Sequence, residues 1–392
     1  MPRLIFANQL RGIAALSVVV SHLVGAFWGL RDFIGLATSS PVPTAEPPPI
    51  FTLVSSPWFN FGPFGVGIFF LVSGLVIPIS LGAHTRRSFI LARVLRIYPT
   101  YLAALLIEVA VLHLDARYWG RPFPYSDWQI ASNALLIHTA VGQPIVDLVN
   151  WTLCIELKFY LLMTLLAPLV RRGSLAALFT VAGTILGAHI AVASGLPGAQ
   201  VLVGPGFWQA TSYESLFLVL ILVGVLFSFH HHGQLSTWGL VVSAAAMFAT
   251  FLACWPLSSI KAQFPVVTLN YLYGLVLFSL LYGLRRHVRR LVILDFFAAI
   301  SFPLYLVHAL VGLSLLKWFM LVCDIDYTLA LALTFTLLVA LATLLHLTVE
   351  KRTTALGRDL SRLRQLPLSA DATPFPRATV TDNRALKPPP SY

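Results

Sequence analysis

The sequence predicts an all-α protein, a polytopic bundle of about ten transmembrane helices with both termini cytoplasmic. Three observations carry that expectation. First, 58% of the 392 residues are apolar and 10% are charged, against about 25% charged in soluble domains. Second, the apolar residues fall in blocks of roughly 18 to 22, the length an α-helix needs to cross a bilayer. Third, if the N-terminus is cytoplasmic, the segments on that side carry 20 of the 26 Lys and Arg, as the positive-inside rule requires. The net charge of +11 thus lies in short loops and a tail, not in an aromatic-laced patch, which excludes nucleic acid as a partner and leaves the lipid bilayer.

The chain opens with Arg3 and Arg11 before an apolar run, as a signal peptide does. The run from Ile13 to Leu30 is long for such a peptide and holds His22 at its middle, so it reads as a retained first helix near 13–30. Further apolar windows lie near 61–82, 98–114, 151–170, 174–194, 213–230, 236–255, 265–284, 296–317 and 327–347. Three longer segments, 31–60, 115–150 and 195–212, face outward and are rich in Pro or Gly. Within the second, 129–142 is too short and polar to span and reads as an interfacial or re-entrant helix. Pro303 is expected to kink the ninth helix and free a backbone carbonyl. A membrane domain, 1–350, is followed by a tail, 351–392, that begins basic and then turns disordered, without room for an appended soluble enzyme domain. No internal repeat of the transporter type is visible. Cys154, Cys254 and Cys323 are too few and scattered for a disulfide framework or a metal site and read as packing residues. The sequon at Asn150-Trp151-Thr152 sits at the membrane face and carries little weight.

Ionisable side chains inside lipid are costly and mark functional candidates. Arg11 and His22 are eleven residues apart on one helix, so His22 sits roughly 16 Å deeper on nearly the same face, a cation at the cytoplasmic mouth and a proton acceptor near the midplane. The plainer reading is an anchoring arginine and a structurally satisfied histidine. Glu156 lies five residues below the interfacial Trp151, roughly 8 Å, where it can meet a molecule from the outer face as a base or orient a histidine. The alternative, an ion pair with Lys158, is disfavoured because residues two apart on a helix face different ways. His308 falls at about the depth of His22. Arg93 and Arg96 share a helical face at the inner surface and form a fork for phosphate, or else an anchor for anionic headgroups. Glu108, His189, Glu214 and His346 face the bundle interior without an assignable role, and the run His230–His232 lacks a second ligand cluster, so no metal is expected.

Taken in order, Arg11-Gly12-Ile13-Ala14-Ala15 with His22, Phe69-Phe70-Leu71-Val72-Ser73-Gly74, Arg93-x-x-Arg96-Ile97-Tyr98-Pro99, Trp151-Thr152-Leu153-Cys154-Ile155-Glu156-Leu157-Lys158-Phe159-Tyr160 and Ser301-Phe302-Pro303-Leu304-Tyr305-Leu306-Val307-His308 resemble the motifs of the acyltransferase type 3 family. The resemblance spans roughly residues 5 to 350 and fits the stand-alone members, without an extracellular hydrolase-like domain. Thr152 and Cys154 stand where small serines are usual, and Lys158 replaces a neutral or polar residue. The resemblance implies a membrane-bound O-acyltransferase of the bacterial inner membrane, moving an acyl group, commonly acetyl from acetyl-CoA, to a hydroxyl of a lipid-linked, surface or secreted carbohydrate. It further implies that Arg11, Arg93 and Arg96 hold the acyl-CoA phosphates. His22 then serves as general base or transient acyl carrier. Glu156 orients the histidine or the acceptor, and His308 assists or donates to an oxyanion. A secondary transporter or flippase for a glycan or lipid-linked sugar is the rival reading; it predicts no CoA release.

Overall fold

The computed structural model describes residues 4–196 and 205–363. The tail from 364 onward, where disorder is expected, and the middle of the 195–212 segment lie outside the described residues. The helices are α1 (Ile5–Gly29), α2 (Arg31–Ala37), α3 (Pro49–Val54), α4 (Phe61–Gly82), α5 (Arg86–Tyr118), α6 (Asp127–Ala134), α7 (Trp151–Leu165) and α8 (Ala167–Arg171). They continue with α9 (Leu175–Ala193), α10 (Pro205–His231), α11 (Thr237–Cys254), α12 (Val266–Gly283), α13 (Val292–Ala299), α14 (Ser301–Val307), α15 (Leu310–Leu321) and α16, which runs unbroken from Tyr327 through Leu360. Among the described residues eight helices are long and apolar enough to cross a membrane, and nine if α14 and α15 are one bent span. The fifteen residues of α7 fall short of that length, because Pro168 in the first turn of α8 forces a break at Leu166.

Two expected boundaries move. The arginine-rich stretch taken as a loop before the third helix is its first three turns: Thr85 caps α5 by accepting from the Ser88 N–H, and the helix runs on through Pro99. Pro303 lies just after a break in the apolar run, at Ile300, and does not kink the helix it sits in. It occupies the first turn of α14, where a missing N–H costs nothing. The sharp bend, 58°, instead comes between α14 and α15, at His308 and Ala309.

Hydrophobic burial gives little drive for helix association in lipid, so small residues that let backbones approach set the packing. The α4 helix shows this best. A Cβ on Gly74 would overlap the carbonyl oxygen of Ile221 and come within 2.8 Å of the Gly224 Cα. One on Gly65 would lie 2.8 Å from the Ala14 carbonyl oxygen, and one on Gly67 3.0 Å from Tyr271. So α4 touches α10, α1 and α12 through three glycines and is the axis of the bundle.

Hydrogen bonds define two ends. At one, Asn8 and Gln9 donate to Asp295 (2.6 and 3.0 Å), Arg171 donates to the His84 carbonyl (2.8 Å), and Gln234 donates to the Arg171 carbonyl (2.7 Å). This is the basic end, which also holds the last turns of α16. At the other, the loop end, Arg121 and Tyr125 donate to the carbonyls of Ser40 and Ala37 (2.9 and 3.1 Å), and the buried Lys317 donates to Thr38 and Ser40 (3.2 and 2.9 Å). The short α6 sits in this layer, where Asn133 binds the Val146 N–H and the Asn150 amide. Asn150 is fully buried there, so its sequon is closed to modification.

Two outcomes follow from this packing. Valine at Gly74 or Gly224 forces the α4–α10 crossing apart and costs about 1–3 kcal/mol or more, seen as a lower Tm in detergent. Alanine at Gly283, which has open space around it, leaves Tm nearly unchanged. Burial raises the Asp147 carboxyl to about 8, opposed in part by the Val149 N–H it accepts. The folded protein therefore binds more protons than the unfolded chain between the ordinary aspartate value and that point, and stability falls as pH rises through this window. Asp147→Asn should flatten the fall in Tm between pH 6 and 9.

Candidate active site

Three cavities lie along the bundle axis. The basic-end cavity, about 2070 Å³ of atom-free space, is lined by Arg11, Arg96, His231, His232, Asp295, Glu350, Lys351 and Arg358. The middle cavity, about 880 Å³, is walled by Val66, Phe69, Val72, Val76, Ile77 and Phe302, with Arg11, Arg93, Arg96, Glu156 and Tyr160 among its polar lining. The loop-end cavity, about 1450 Å³, holds His22, Ser21, Asn60 and Gln263 with Trp151, Tyr213, Trp255 and Tyr271. Arg11 and Arg96 line both the first and second cavities, and Val66 and Tyr305 line both the second and third. The three therefore form one path with an arginine neck and a Val66–Tyr305 partition.

His22 sits in a π-helical segment of α1, Ser21–Ala26, a local widening that recurs at functional positions. His308 ends α14 at the bend. Their ring nitrogens, His308 Nε2 and His22 Nδ1, lie 3.0 Å apart, with the rings edge-to-face at 4.9 Å between centroids. The carbonyls around them fix the tautomers. His308 Nδ1 faces the carbonyl oxygens of Leu304 and Tyr305 at 3.1 and 2.8 Å; carbonyls only accept, so this nitrogen carries the proton and Nε2 offers a lone pair. His22 Nδ1, 3.0 Å from the Val18 carbonyl as well, is then the donor to both acceptors. The remaining nitrogen, His22 Nε2, is left unprotonated on a residue that lines the loop-end cavity.

His308 is fully buried and lines none of the three cavities. With Nδ1 committed to carbonyls and Nε2 accepting, neutral His308 carries no further N–H, and its side chain contacts His22.

Glu156 turns away from His22. It lines the middle cavity on the far side of Tyr305, accepts from the Tyr160 hydroxyl, and faces Arg11 and Arg93 electrostatically. An acid among arginines suits charge balance there; its side-chain hydrogen bond is to Tyr160, not to the histidine. Lys158 does not disturb it, since its ammonium pairs with Glu214, which also accepts from Thr139 at 3.1 Å. Arg93 is buried between the rings of Phe89 and Tyr160, at 5.2 and 5.4 Å, and donates to Ser80. Arg96, half-buried, looks into both cavities, and Arg11 donates to Ser301 at 3.2 Å. All three arginines thus line the middle cavity, with Arg11 and Arg96 at the neck, although Arg93 and Arg96 are not an equivalent fork.

Other singled-out residues serve packing. His189 joins α9 to α10 through the Ser212 carbonyl (3.2 Å), and His346 pairs with Glu350 (2.7 Å). Among the described residues no group of three or more His, Cys, Asp or Glu is placed to hold a metal. Tyr305 escaped the sequence reading. Its hydroxyl meets Thr152 at 2.9 Å and donates to the Val149 carbonyl at 3.2 Å, which explains a threonine at 152; its place one turn before His308 was the available signal. Asn60, the N-cap of α4, and Gln263, at the end of a single 3-10 turn, carried none.

The model for the acyltransferase domain of the acyltransferase-3 family matches residues 4–347. The chain belongs to the acyltransferase-3 family. Its eight or nine long apolar helices among the described residues are those of a multi-pass membrane protein. One curated relative, Nodulation protein 10 of Rhizobium leguminosarum bv. viciae, is 29% identical over 177 residues, covering 37% of this chain and 45% of that protein. This chain therefore spans less than half of that relative's length. No solved structure gives a significant match.

If His308 acts only by holding the tautomer of His22, His308→Phe lowers kcat for acyl transfer on the order of 10²-fold with KM for both substrates little changed. Steady-state kinetics separates this from a binding role, in which KM would rise.

Proposed function

We propose that this acyltransferase moves an acetyl group from acetyl-CoA, or another acyl-CoA, to a hydroxyl of a carbohydrate bound in the loop-end cavity. The observation that carries the reading is the free Nε2 of His22 on the loop-end cavity, which adjoins a chemically different middle cavity across Val66 and Tyr305. Arginines suit an anionic donor at one side, where guanidinium forks recognise phosphate. The apolar middle cavity suits a thioester arm. On the other side aromatic faces, with Asn60, Gln263 and Ser21 between them, suit a sugar, whose C–H surfaces pack on rings while its hydroxyls take polar partners. The clustering of Lys and Arg supports a cytoplasmic basic end, so that donor enters from the cytoplasm of a bacterial inner-membrane protein and acceptor from outside.

The chemistry is then direct. The acceptor hydroxyl donates to His22 Nε2 and its oxygen attacks the thioester carbonyl carbon presented past Tyr305. Its proton passes to Nε2, and the resulting imidazolium keeps its Nδ1–H on His308 Nε2, a lone pair that favours the charged ring. The tetrahedral adduct collapses, the C–S bond breaks, and the thiolate recovers the proton from Nε2. Arg11, Arg93 and Arg96 hold the donor, with Glu156 and Tyr160 positioning the guanidiniums.

The test uses protein in nanodiscs with acetyl-labelled acetyl-CoA and a lipid-linked glycan extract. Wild type labels glycan; His22→Ala loses about 10²- to 10⁴-fold in rate, and Arg93→Ala raises KM for acetyl-CoA. Undiminished labelling by His22→Ala would remove His22 from the mechanism. Label recovered only in non-carbohydrate acceptors would overturn the acceptor class.

A further inference from the structure

The basic-end cavity is larger than a thioester arm requires, and part of its wall comes from a segment the family match does not reach. That match ends at residue 347, whereas α16 continues unbroken and places Lys351, Thr354 and Arg358 in the cavity lining. Spacings of three and seven residues put all three on one helical face, along about 10 Å of axis. The helix is held by an adjoining face against α5, which carries Arg93 and Arg96: a Cβ on Gly357 would lie 3.4 Å from the Ala92 Cα and 3.5 Å from the Leu95 side chain.

The charge around this face favours an anion. Two acids share the cavity, and both are engaged elsewhere: Asp295 accepts from Asn8, Gln9 and Arg290 at 2.6, 3.0 and 2.8 Å, and Glu350 pairs with His346 at 2.7 Å. Lys351 and Arg358 have no ion-pair partner among the described residues and are exposed. They lie on the same cavity as Arg11 and Arg96, whose other side is the arm-sized middle cavity.

We propose that Lys351 and Arg358, with the Thr354 hydroxyl between them, bind the phosphate groups at the nucleotide end of the acyl-CoA donor, so that the turns of α16 beyond the family domain are part of the donor site. This rests on the acyl-CoA reading above. It makes the enzyme selective for a donor carrying the nucleotide over one with the same thioester and no phosphates, because each charge-assisted phosphate contact is absent from the shorter donor.

The experiment compares acetyl-CoA with acetyl-pantetheine as donors for wild type, Lys351→Gln, Arg358→Gln and Arg358→Lys in nanodiscs. Alongside, calorimetry measures binding of adenosine 3′,5′-bisphosphate, which lacks the thioester arm. Expected are a roughly tenfold rise in KM for acetyl-CoA in each glutamine variant, unchanged kcat, unchanged kinetics with acetyl-pantetheine, matching loss of bisphosphate affinity, and partial recovery in Arg358→Lys. An equal change with both donors, no change with either, or no bisphosphate binding to wild type would overturn the assignment. If the bisphosphate binds wild type and the variants weaken it, yet no acetyl thioester supports transfer, the phosphate site stands and the donor reading falls.

Discussion

Everything in this bundle hangs on how closely α4 can approach its neighbours. Glycines at 65, 67 and 74 bring the α1, α12 and α10 helices against its backbone, and in lipid such close approach is the main source of helix–helix attraction. The face of α4 between those contacts carries Val66, Phe69, Val72 and Val76, which wall the middle cavity. The tight crossings and the open path are therefore two sides of one helix. A side chain added at Gly74 would wedge α10 outward, and with it Tyr213 and Phe217, which line the loop-end cavity.

A second constraint is that each polar group in the bundle interior must find a partner from the protein. Irregular backbone supplies many of them. The break after α14 leaves the Leu304 and Tyr305 carbonyls accessible to His308 Nδ1, and the π segment of α1 sets His22 within reach of both Val18 and His308. The tautomer of His22 is thus fixed by main-chain oxygens and His308, without a carboxylate. The same requirement explains why Glu156 lies with the arginines: a carboxylate beside a neutral histidine pair would lack a cation, whereas at the neck it faces Arg11 and Arg93.

The helices themselves were largely legible, because block length and apolar content are local properties. Phe61–Gly82 agrees with its apolar window to the residue. The errors arose where a local signal has two outcomes. A basic stretch such as 86–97 is equally compatible with a loop or with the charged start of a long helix, and the Thr85 cap decided for the helix. A proline in an apolar run either kinks a helix or begins one, and Pro303 begins one.

By itself the sequence determined the membrane-spanning all-α class, the clustering of basic residues, and the residues of the candidate site, Arg11, His22, Arg93, Arg96, Glu156 and His308, since charge and imidazole inside an apolar block are conspicuous without coordinates. Only the tertiary structure decided which of them meet. Pairing His22 with His308 joins residues 286 apart in the chain, and placing Glu156 across Tyr305 from them depends on which way each helix turns about its own axis. That rotation is set by glycine contacts between helices distant in sequence, and no local pattern encodes it.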